Sequence, residues 1–383
     1  MKICIIQAGI SDFSGSFIKA HQEFIKGEKV ILNGPTHDLR HNNRSIRLFY
    51  SQRPWLQKFK KLLPQWFYYK KVTLWQESFN GKLDALAGFF KVHHVDVILA
   101  ESGFHGASIT PFAKRLGIPF VVHFHGHDAH RDILLTDTIK IDYKVMFDYA
   151  HKIISVSNFM TDALLKLGAP VNKIVYNPYG PRKEFYNNVP NYSSDTILYI
   201  GRFTNIKAPN LLILAFKAML VECPEAKLVM VGMAELLESC KAMVRALNIE
   251  DRVIFTGGIS HEQLLPYFEN SCMFIQHSVQ PSYGDAEGTP NTILEASAAG
   301  LPVVSTYHAG IVDAVIHEKT GLLGNEYDIA TMTKNMITLF KDRALCEELG
   351  KAGREHIKTN YNIDRHISIL DNAILSARIS QQN

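Results

Sequence analysis

The stretch GDAEGTPNTILEASAAGLPVVST, residues 284–306, shows how this chain alternates its secondary structure. A polar turn ends at Thr289, which we expect to be a helix N-cap, with Pro290 at the first helical position. The helix is followed at once by the apolar run LPVVST, which predicts a strand buried on both faces. The order of turn, helix and buried strand is typical of a parallel α/β sheet.

Similar short apolar runs, rich in β-branched residues, recur along the chain, and longer helical patterns separate them. They are KICIIQ (2–7), KVILNG (29–34), VDVILAE (95–101), PFVVHFHG (119–126), HKIISVS (151–157), NKIVYNP (172–178), TILYIGR (196–202), AKLVMVG (226–232), RVIFTG (252–257) and MFIQHS (273–278). The polar stretch PRKEFYNNVPNYSSD (181–195) divides them into two series. We therefore predict an α/β protein with two doubly wound, Rossmann-like domains that face each other across a cleft. The expected domains are residues 1–185 and 186–360, with a terminal helix in 361–383 that packs back on the first domain.

The composition of the chain excludes several classes of protein. With 383 residues, 46% of them apolar, the chain is too long for one ordinary core and is neither disordered nor fibrous. A formal charge of only +4 excludes a nucleic-acid binder that works through bulk positive charge. The five cysteines are widely spaced and never form C-x-x-C, and no apolar stretch reaches about 18 residues. We expect a cytoplasmic protein whose membrane contact, if it has any, is peripheral and on the inner membrane face.

The positive charge is concentrated in one segment. Between Leu39 and Gln76 there are nine basic residues and no acidic one, so the rest of the chain is net acidic. Residues 44–71 also interleave these cations with eight aromatic residues, a composition typical of an interfacial membrane anchor. A pair of packed helices with solvated lysines fits the same residues. Single-stranded nucleic acid is a third reading, which nothing else in the chain favours.

The turn before the predicted helix has the chemistry of an anion site. Free N–H groups near Gly288 and Thr289 and the helix dipole suit a diphosphate, and Gly288 lets a ligand approach the backbone. Glu287 precedes the turn and Glu295 lies behind it, so that one carboxylate can bind a sugar and the other a ribose. The first turn of the chain, AGISDFSGSFI, lacks the G-x-G-x-x-G of nicotinamide dinucleotide folds. We therefore predict a nucleotide-sugar site.

The block EGTPNTILEASAAGLPVVST and the following HAGIVDAVIHEKTGLL resemble the signature of a known family. It is the retaining glycosyltransferases of the GT-B fold in glycosyltransferase family four, the glycosyl transferases group 1. The resemblance implies that Glu287 holds the donor sugar near its reacting carbon and that Glu295 binds the ribose. It also implies donor contacts from the residues at the helix start, Gly288, Thr289, Pro290 and Asn291.

Two further stretches of the second half match the same family. YIGRFTNIKAPN resembles the segment that grips the donor diphosphate, which makes Arg202 and Lys207 the expected cations. The family often has glycine after this lysine, and Ala208 stands there instead. RVIFTGGIS resembles the turn that binds the nucleobase through its backbone, which implicates Gly258 and Ile259.

The first half contributes two matching stretches. SDFSGSFIKAH (11–21) resembles the family's early loop, so Gly15 and Ser16 are expected near the diphosphate. HFHGHDAHRD (123–132) resembles its H-G-x-D turn and places His125 beside the donor sugar. Its four histidines, at positions 123, 125, 127 and 130, also suggest zinc, but no cysteine or glutamate there completes a site. We therefore expect no metal.

The resemblance implies transfer of a sugar, with retention at the anomeric carbon, from a nucleotide-diphosphate sugar to a saccharide or lipid-linked acceptor. Cell-envelope polysaccharide biosynthesis is the expected setting. Glu287, His125, Arg202 and Lys207 are the expected catalytic residues, and neither a cofactor nor a metal is needed. Two alternatives remain open at this point: a nucleotide-sugar epimerase on a related fold and a non-catalytic nucleotide-sugar-binding protein.

Overall fold

The computed structural model describes residues 1–9, 16–35, 37–46 and 78–380. Gly15 and residues 47–71 of the basic aromatic segment lie outside the described residues, and the expectations for them stay predictions.

The first sheet, as described, has eight strands in the order β4-β3-β2-β1-β5-β6-β7-β8. Its strands are β1 (Lys2–Gln7), β2 (Glu28–Asn33), β3 (Arg40–His41), β4 (Arg44–Ser45), β5 (Val97–Ala100), β6 (Phe120–His123), β7 (Lys152–Ser155) and β8 (Ile174–Tyr176). The short strand β3 pairs antiparallel with both β2 and β4, and all other described pairs of this sheet are parallel. The helices of this half are α1 (Ser16–Phe24), α2 (Phe79–His93), α3 (Gly103–Leu116), α4 (His127–His130), α5 (Asp137–Tyr149) and α6 (Asn158–Lys166). Strands β5 and β6 are buried along their whole length, as apolar runs covered on both faces should be.

The second sheet has six described strands, all parallel, in the order β11-β10-β9-β12-β13-β14. They are β9 (Thr196–Ile200), β10 (Lys227–Val231), β11 (Val253–Gly257), β12 (Met273–Ile275), β13 (Val303–Thr306) and β14 (Gly321–Gly324). The accompanying helices are α7 (Pro209–Met219), α8 (Leu237–Ala246), α9 (Leu265–Glu269), α10 (Asn291–Ala298), α11 (Ile311–Ala314), α12 (Ile329–Lys341) and α13 (Arg343–Asn360). The doubly wound α/β prediction is confirmed. The sequence did not predict β14, a four-residue strand with a glycine at each end.

The last helix, α14 (Ile363–Ile379), returns to the first sheet. Asn362 is its N-cap, and the Asn362 side chain accepts hydrogen bonds from backbone N–H groups of the first turn. Leu370 and Ile374 are fully buried and belong to one apolar cluster with Ile5 of β1 and Leu99 of β5. Burial of this face ties the end of the chain to the first half of the fold.

The polar stretch between the two sheets is packed rather than loose. It contains a 3-10 turn, Lys183–Asn187, in which Phe185 is fully buried. The ring of Phe185 meets that of Phe268 edge to face, with their centroids 5.5 Å apart.

All five cysteines are buried and unpaired. Across the described part of the chain, no helix combines the length and the apolar character needed to cross a membrane.

Candidate active site

An ion pair between Lys207 and Glu287 lies at the centre of the candidate site. Lys207 ends the 3-10 turn Asn205–Lys207 after β9, and Glu287 lies in the loop that leads from β12 to α10. Lys207 Nζ is 3.0 Å from Glu287 Oε1, and only 11% and 12% of the two side chains are exposed. Lys207 also donates to Gln276 Oε1 at 3.2 Å. The structure therefore brings together two residues that the sequence singled out 80 positions apart.

The backbone after Lys207 explains the glycine preference of the family. Ala208 has φ = 36°, in the left-handed region that favours glycine. This conformation lets α7 begin immediately at Pro209 while Lys207 turns inward.

Glu287 is held as a carboxylate. Its burial raises the pKa, but the charge and hydrogen bond of Lys207, helped by the charge of Arg202, outweigh burial and lower the pKa overall. Arg202 itself lies just after β9 with an exposed side chain. The site thus combines one buried and one exposed cation beside a fixed anion.

Two residues that the sequence did not predict hold the backbone of Glu287. The Glu287 N–H donates to His308 Nε2 at 3.2 Å, and His308 Nδ1 donates to Glu326 Oε1 at 2.6 Å. Glu326 therefore fixes the His308 tautomer whose Nε2 can accept. The N–H of Gly310 lies 3.4 Å from the Glu287 carbonyl, so the same turn contacts both sides of this residue. The sequence signal for these contacts was His308, the histidine in HAGIVD, which we interpreted only as part of the family motif.

The predicted helix start is wrong by one residue, because Pro290 is the N-cap of α10 and not its first helical residue. Thr289 is not the N-cap of α10: the helix begins at Asn291, and no side chain caps it. The Thr289 hydroxyl donates instead to the carbonyl of Val156, in the first half of the fold, at 2.5 Å. A tertiary acceptor therefore competes successfully with the local capping bond, and the N–H groups of the helix start are left without a side-chain cap.

Glu295, one turn into α10, is buried at 6% exposure. Burial, reinforced by the charge of Glu184, raises the pKa of Glu295 to about 8. Near neutral pH this group is a carboxylic acid that can donate as well as accept. The expected contact of Glu295 with the ribose stays a prediction.

The loops of the two halves meet at glycines. A Cβ added to Gly288 would clash with the carbonyl oxygen of His125, and one added to Gly126 would lie 3.1 Å from the Ala286 carbonyl oxygen. A Cβ on Gly310 would in turn clash with the Gly288 carbonyl. Close packing of backbone on backbone thus requires glycine where the loop after β6 faces the loop before α10.

His125 lies in this contact, but its ring points inward. His125 Nε2 is 3.0 Å from Glu101 Oε2, and Nδ1 makes a short hydrogen bond with the hydroxyl of Tyr179. The ring of Phe17 packs at 4.7 Å from the imidazole. Both ring nitrogens are therefore engaged by neighbours within the first half of the fold.

Other predicted residues lie at the ends of strands and helices. Gly258 and Ile259 form a half-buried turn directly after β11, the edge strand of the second sheet. Asn291 opens α10, and the next residue, Thr292, donates to Gln276 Oε1. Ser16 is the first residue of α1.

The four histidines of HFHGHDAHRD do not form one cluster. In the described parts of the chain, the groups whose ligand atoms converge within 4.8 Å are His21, His123 and His366, and Glu101, His123 and His125. His127 is exposed, and His130 is buried against the ring of Phe159. The sequence could not predict the first group because His21 and His366 lie at opposite ends of the chain.

Two family models match the chain. The model described as Glycosyltransferase Family 4 matches residues 31–180, and the model described as Glycosyl transferases group 1 matches residues 182–356. Curated relatives include the amylovoran biosynthesis glycosyltransferase AmsK of Erwinia amylovora, 27% identical over 74% of this chain and 70% of the relative. A GDP-mannose-dependent phosphatidylinositol monomannoside mannosyltransferase of Mycobacterium tuberculosis is 24% identical over 71% of this chain and 74% of its own.

Solved structures share the fold over its full length. Alr3699/HepE of Anabaena, in complex with UDP, superposes with a TM-score of 0.75 at 14% identity and covers 98% of this chain and 100% of its own. The apo form of the lipopolysaccharide outer core galactosyltransferase WaaB has a TM-score of 0.66 at 18% identity, over 98% of this chain and 99% of its own.

Proposed function

The chain belongs to the group 1 glycosyltransferases of family 4, and we propose that it transfers a sugar from a nucleotide-diphosphate sugar to a saccharide or lipid-linked acceptor. The observation that carries this proposal is the buried pair of Lys207 and Glu287 beside the start of α10. A fixed cation and the free N–H groups of a helix start suit a departing diphosphate, while the carboxylate suits the sugar hydroxyls. The crystallised complex of Alr3699/HepE with UDP supports this class of donor.

We propose that the reaction proceeds with retention and without a covalent enzyme intermediate. Retaining glycosidases place a nucleophilic carboxylate about 5 Å from an acid partner. Here Glu287 is paired with a lysine, which suits hydrogen bonding to the sugar rather than attack on it. The departing phosphate would accept the proton of the acceptor hydroxyl, while Arg202 and Lys207 stabilise the charge that develops on it.

A ligand screen followed by product analysis tests the proposal. A donor that binds only the folded chain raises its stability by RT ln(1 + [L]/Kd), about 2.7 kcal/mol at 100 times Kd. UDP, GDP and ADP sugars are compared by thermal shift, and the donor that binds is then incubated with saccharide acceptors. Proton NMR of the product reports the anomeric configuration, and an inverted product would contradict retention.

Variants then locate the chemistry. Arg202→Ala and Glu287→Ala should each lower kcat roughly 10²- to 10³-fold. Arg245→Ala is the matched control, because Arg245 is exposed in the last turn of α8, away from the strand ends that hold Lys207. If both site variants kept the wild-type rate, the site assignment would be wrong. Release of a free epimerised nucleotide sugar without acceptor would instead identify an epimerase.

We propose that the transfer step needs no metal ion. The buried cation of Lys207 and the exposed one of Arg202 can compensate the charge of the diphosphate. Turnover should therefore be unchanged after treatment with EDTA. Loss of activity that added Mg²⁺ or Mn²⁺ restores would contradict the proposal.

We further propose a cell-envelope setting with peripheral contact through residues 44–71. The named roles of the relatives in amylovoran and phosphatidylinositol mannoside synthesis support an acceptor at the membrane surface. The cations and aromatic residues of the segment support binding to anionic lipid. Co-sedimentation with anionic liposomes should occur at low salt and disappear at high salt. Replacing Lys60 and Lys61 by Gln should weaken it, and no pelleting at low salt would refute the proposal.

A further inference from the structure

Four buried titratable side chains and the half-buried His125 lie in one cluster of hydrogen bonds and close contacts that the proposed reaction does not by itself explain. We call this set the histidine cluster: His21 on α1, Glu101 after β5, His123 in β6, His125 after β6, and His366 on α14. His21 and His123 are completely buried, and Glu101 and His366 are each 3% exposed. The cluster connects the last helix of the chain with a predicted catalytic residue.

The protons of the cluster can be assigned from the distances, beginning at His366. Its Nδ1 lies 3.0 Å from the carbonyl oxygen of Pro178, which can only accept, so Nδ1 carries a hydrogen. Burial is the main cause that lowers the pKa of His366 to about 3, so the ring is neutral and its Nε2 is a bare acceptor. His21 Nε2 lies 2.8 Å from that nitrogen and must donate to it.

The second nitrogen of His21 must also donate. His21 Nδ1 is 2.7 Å from Glu101 Oε1. Burial raises the pKa of Glu101, but the histidines around the carboxylate, His21 first, outweigh burial and hold the pKa well below its ordinary range. A carboxylate can only accept, so with Glu101 ionised His21 carries hydrogens on both nitrogens.

His125, the last member of the histidine cluster, contacts the same carboxylate. The second oxygen of Glu101 lies 3.0 Å from His125 Nε2, a close electrostatic contact without the alignment of a hydrogen bond. His125 Nδ1 faces the Tyr179 hydroxyl and, at 3.2 Å, His123 Nδ1. The carboxylate thus orients the ring of His125 much as a second group orients a catalytic imidazole.

A hydrogen bond explains the spacing of His21 and His366 better than a shared metal ion. Two imidazole nitrogens bound to one tetrahedral zinc at about 2.0–2.1 Å lie roughly 3.3 Å apart. The observed separation of 2.8 Å is that of an N–H···N bond. Both nitrogens of His21 already have partners at hydrogen-bond distance.

We propose that His21 and Glu101 form a buried imidazolium–carboxylate pair that, together with His366 of the terminal helix, positions His125 for sugar transfer. His21, Glu101 and His366 are then positioning residues, and the terminal helix contributes to the site through the acceptor nitrogen of His366. The inference rests on the proposed function only for its effect on turnover. The charge state of His21 can be measured without any activity.

Nitrogen-15 NMR of histidine-labelled protein at pH 7.5 tests the charge state, since exposed histidines with a pKa of about 6.5 are then mostly neutral. One imidazolium signal should be present, and it should disappear in His21→Gln and in Glu101→Gln. His151→Gln is the matched control, because His151 also contacts α14, through Ser376 and Ser380, but lies outside the cluster. A neutral His21, or one equivalent of tightly bound metal by elemental analysis, would overturn the proposal.

Turnover tests the positioning role. His366→Gln keeps an acceptor oxygen for His21 and should retain kcat within about threefold, whereas His366→Leu should lose roughly tenfold, in the range of couplings within one hydrogen-bond network. The loss should be absent when His366→Leu is made in the His125→Gln background. Equal, additive losses in both backgrounds would refute the positioning role. No sugar transfer by the wild-type protein would refute the proposed function and leave the NMR result to stand alone.

Discussion

The buried pair of Lys207 and Glu287 makes a quantitative prediction about stability. At 3.0 Å and an effective dielectric constant of about 20, the Coulomb attraction between the two charges is roughly 5 kcal/mol before desolvation. Lys207→Met removes the cation and leaves a buried carboxylate uncompensated, which should cost about 3–5 kcal/mol. The double variant Lys207→Met with Glu287→Gln removes both charges and should recover about 2–3 kcal/mol of the summed losses.

Urea unfolding of the four proteins of this cycle measures the coupling. Lys351→Met provides the matched control, because Lys351 and Glu347 form an ion pair at 2.5 Å on α13, with 70% and 47% of their side chains exposed. Solvent screening limits such a pair to less than about 1 kcal/mol. If Lys207→Met cost no more than Lys351→Met, or if the two site substitutions were additive, the pair would not be buried and coupled as described.

Three further predictions follow from single residues. The pKa of Glu295 near 8 exceeds its unfolded value, so the free energy of unfolding of the wild type should fall as pH rises from about 4.5 to 8. Glu295→Gln cannot ionise, so its free energy of unfolding should gain on the order of 3–5 kcal/mol over that of the wild type across this window. Parallel pH profiles of the two proteins in urea unfolding would contradict this. Ala208→Gly removes the backbone strain of an alanine in the left-handed region, and the variant should be about 0.5–1 kcal/mol more stable in denaturant unfolding. A less stable variant would show that Ala208 holds no strain. Glu326 accepts from His308 through one oxygen and from the Gln280 N–H through the other, and Glu326→Gln leaves only one acceptor oxygen for both. We expect kcat to fall roughly tenfold. An unchanged rate would show that His308 does not need Glu326 to hold Glu287.

The strands were predictable because their chemistry is local. Runs such as KICIIQ and PFVVHFHG are apolar on both faces, which only a covered parallel strand explains. Strand β14 was missed because a short run flanked by glycines carries little local signal, and it forms where Gly321 lies against the carbonyl of Val303. Its stability depends on a neighbour that the local sequence does not reveal.

The site residues that lie within a recognisable motif could be predicted from the sequence. Those that only the tertiary fold brings together could not. Glu287 and Lys207 each lie in a recognisable stretch, and the meeting of those stretches follows from the parallel order of the strands. His21 and His366 are single histidines within ordinary helical patterns, 345 residues apart. Only the return of α14 to the first sheet brings them into contact, and nothing in either stretch indicates that return.

The same short loop contributes to the contact between the two halves and to the candidate site. Thr289 precedes the helix start by two residues, and its hydroxyl donates to the carbonyl of Val156 in the other half. Gly288 lies against the His125 carbonyl, and Glu287 is one residue away from this contact and two residues away from Thr289. A substitution that separates these loops therefore moves Glu287 relative to His125, even when it touches neither side chain. Because a displacement of about 1 Å can cost about 100-fold in rate, the glycines of this contact constrain the chemistry as strongly as the charged residues do.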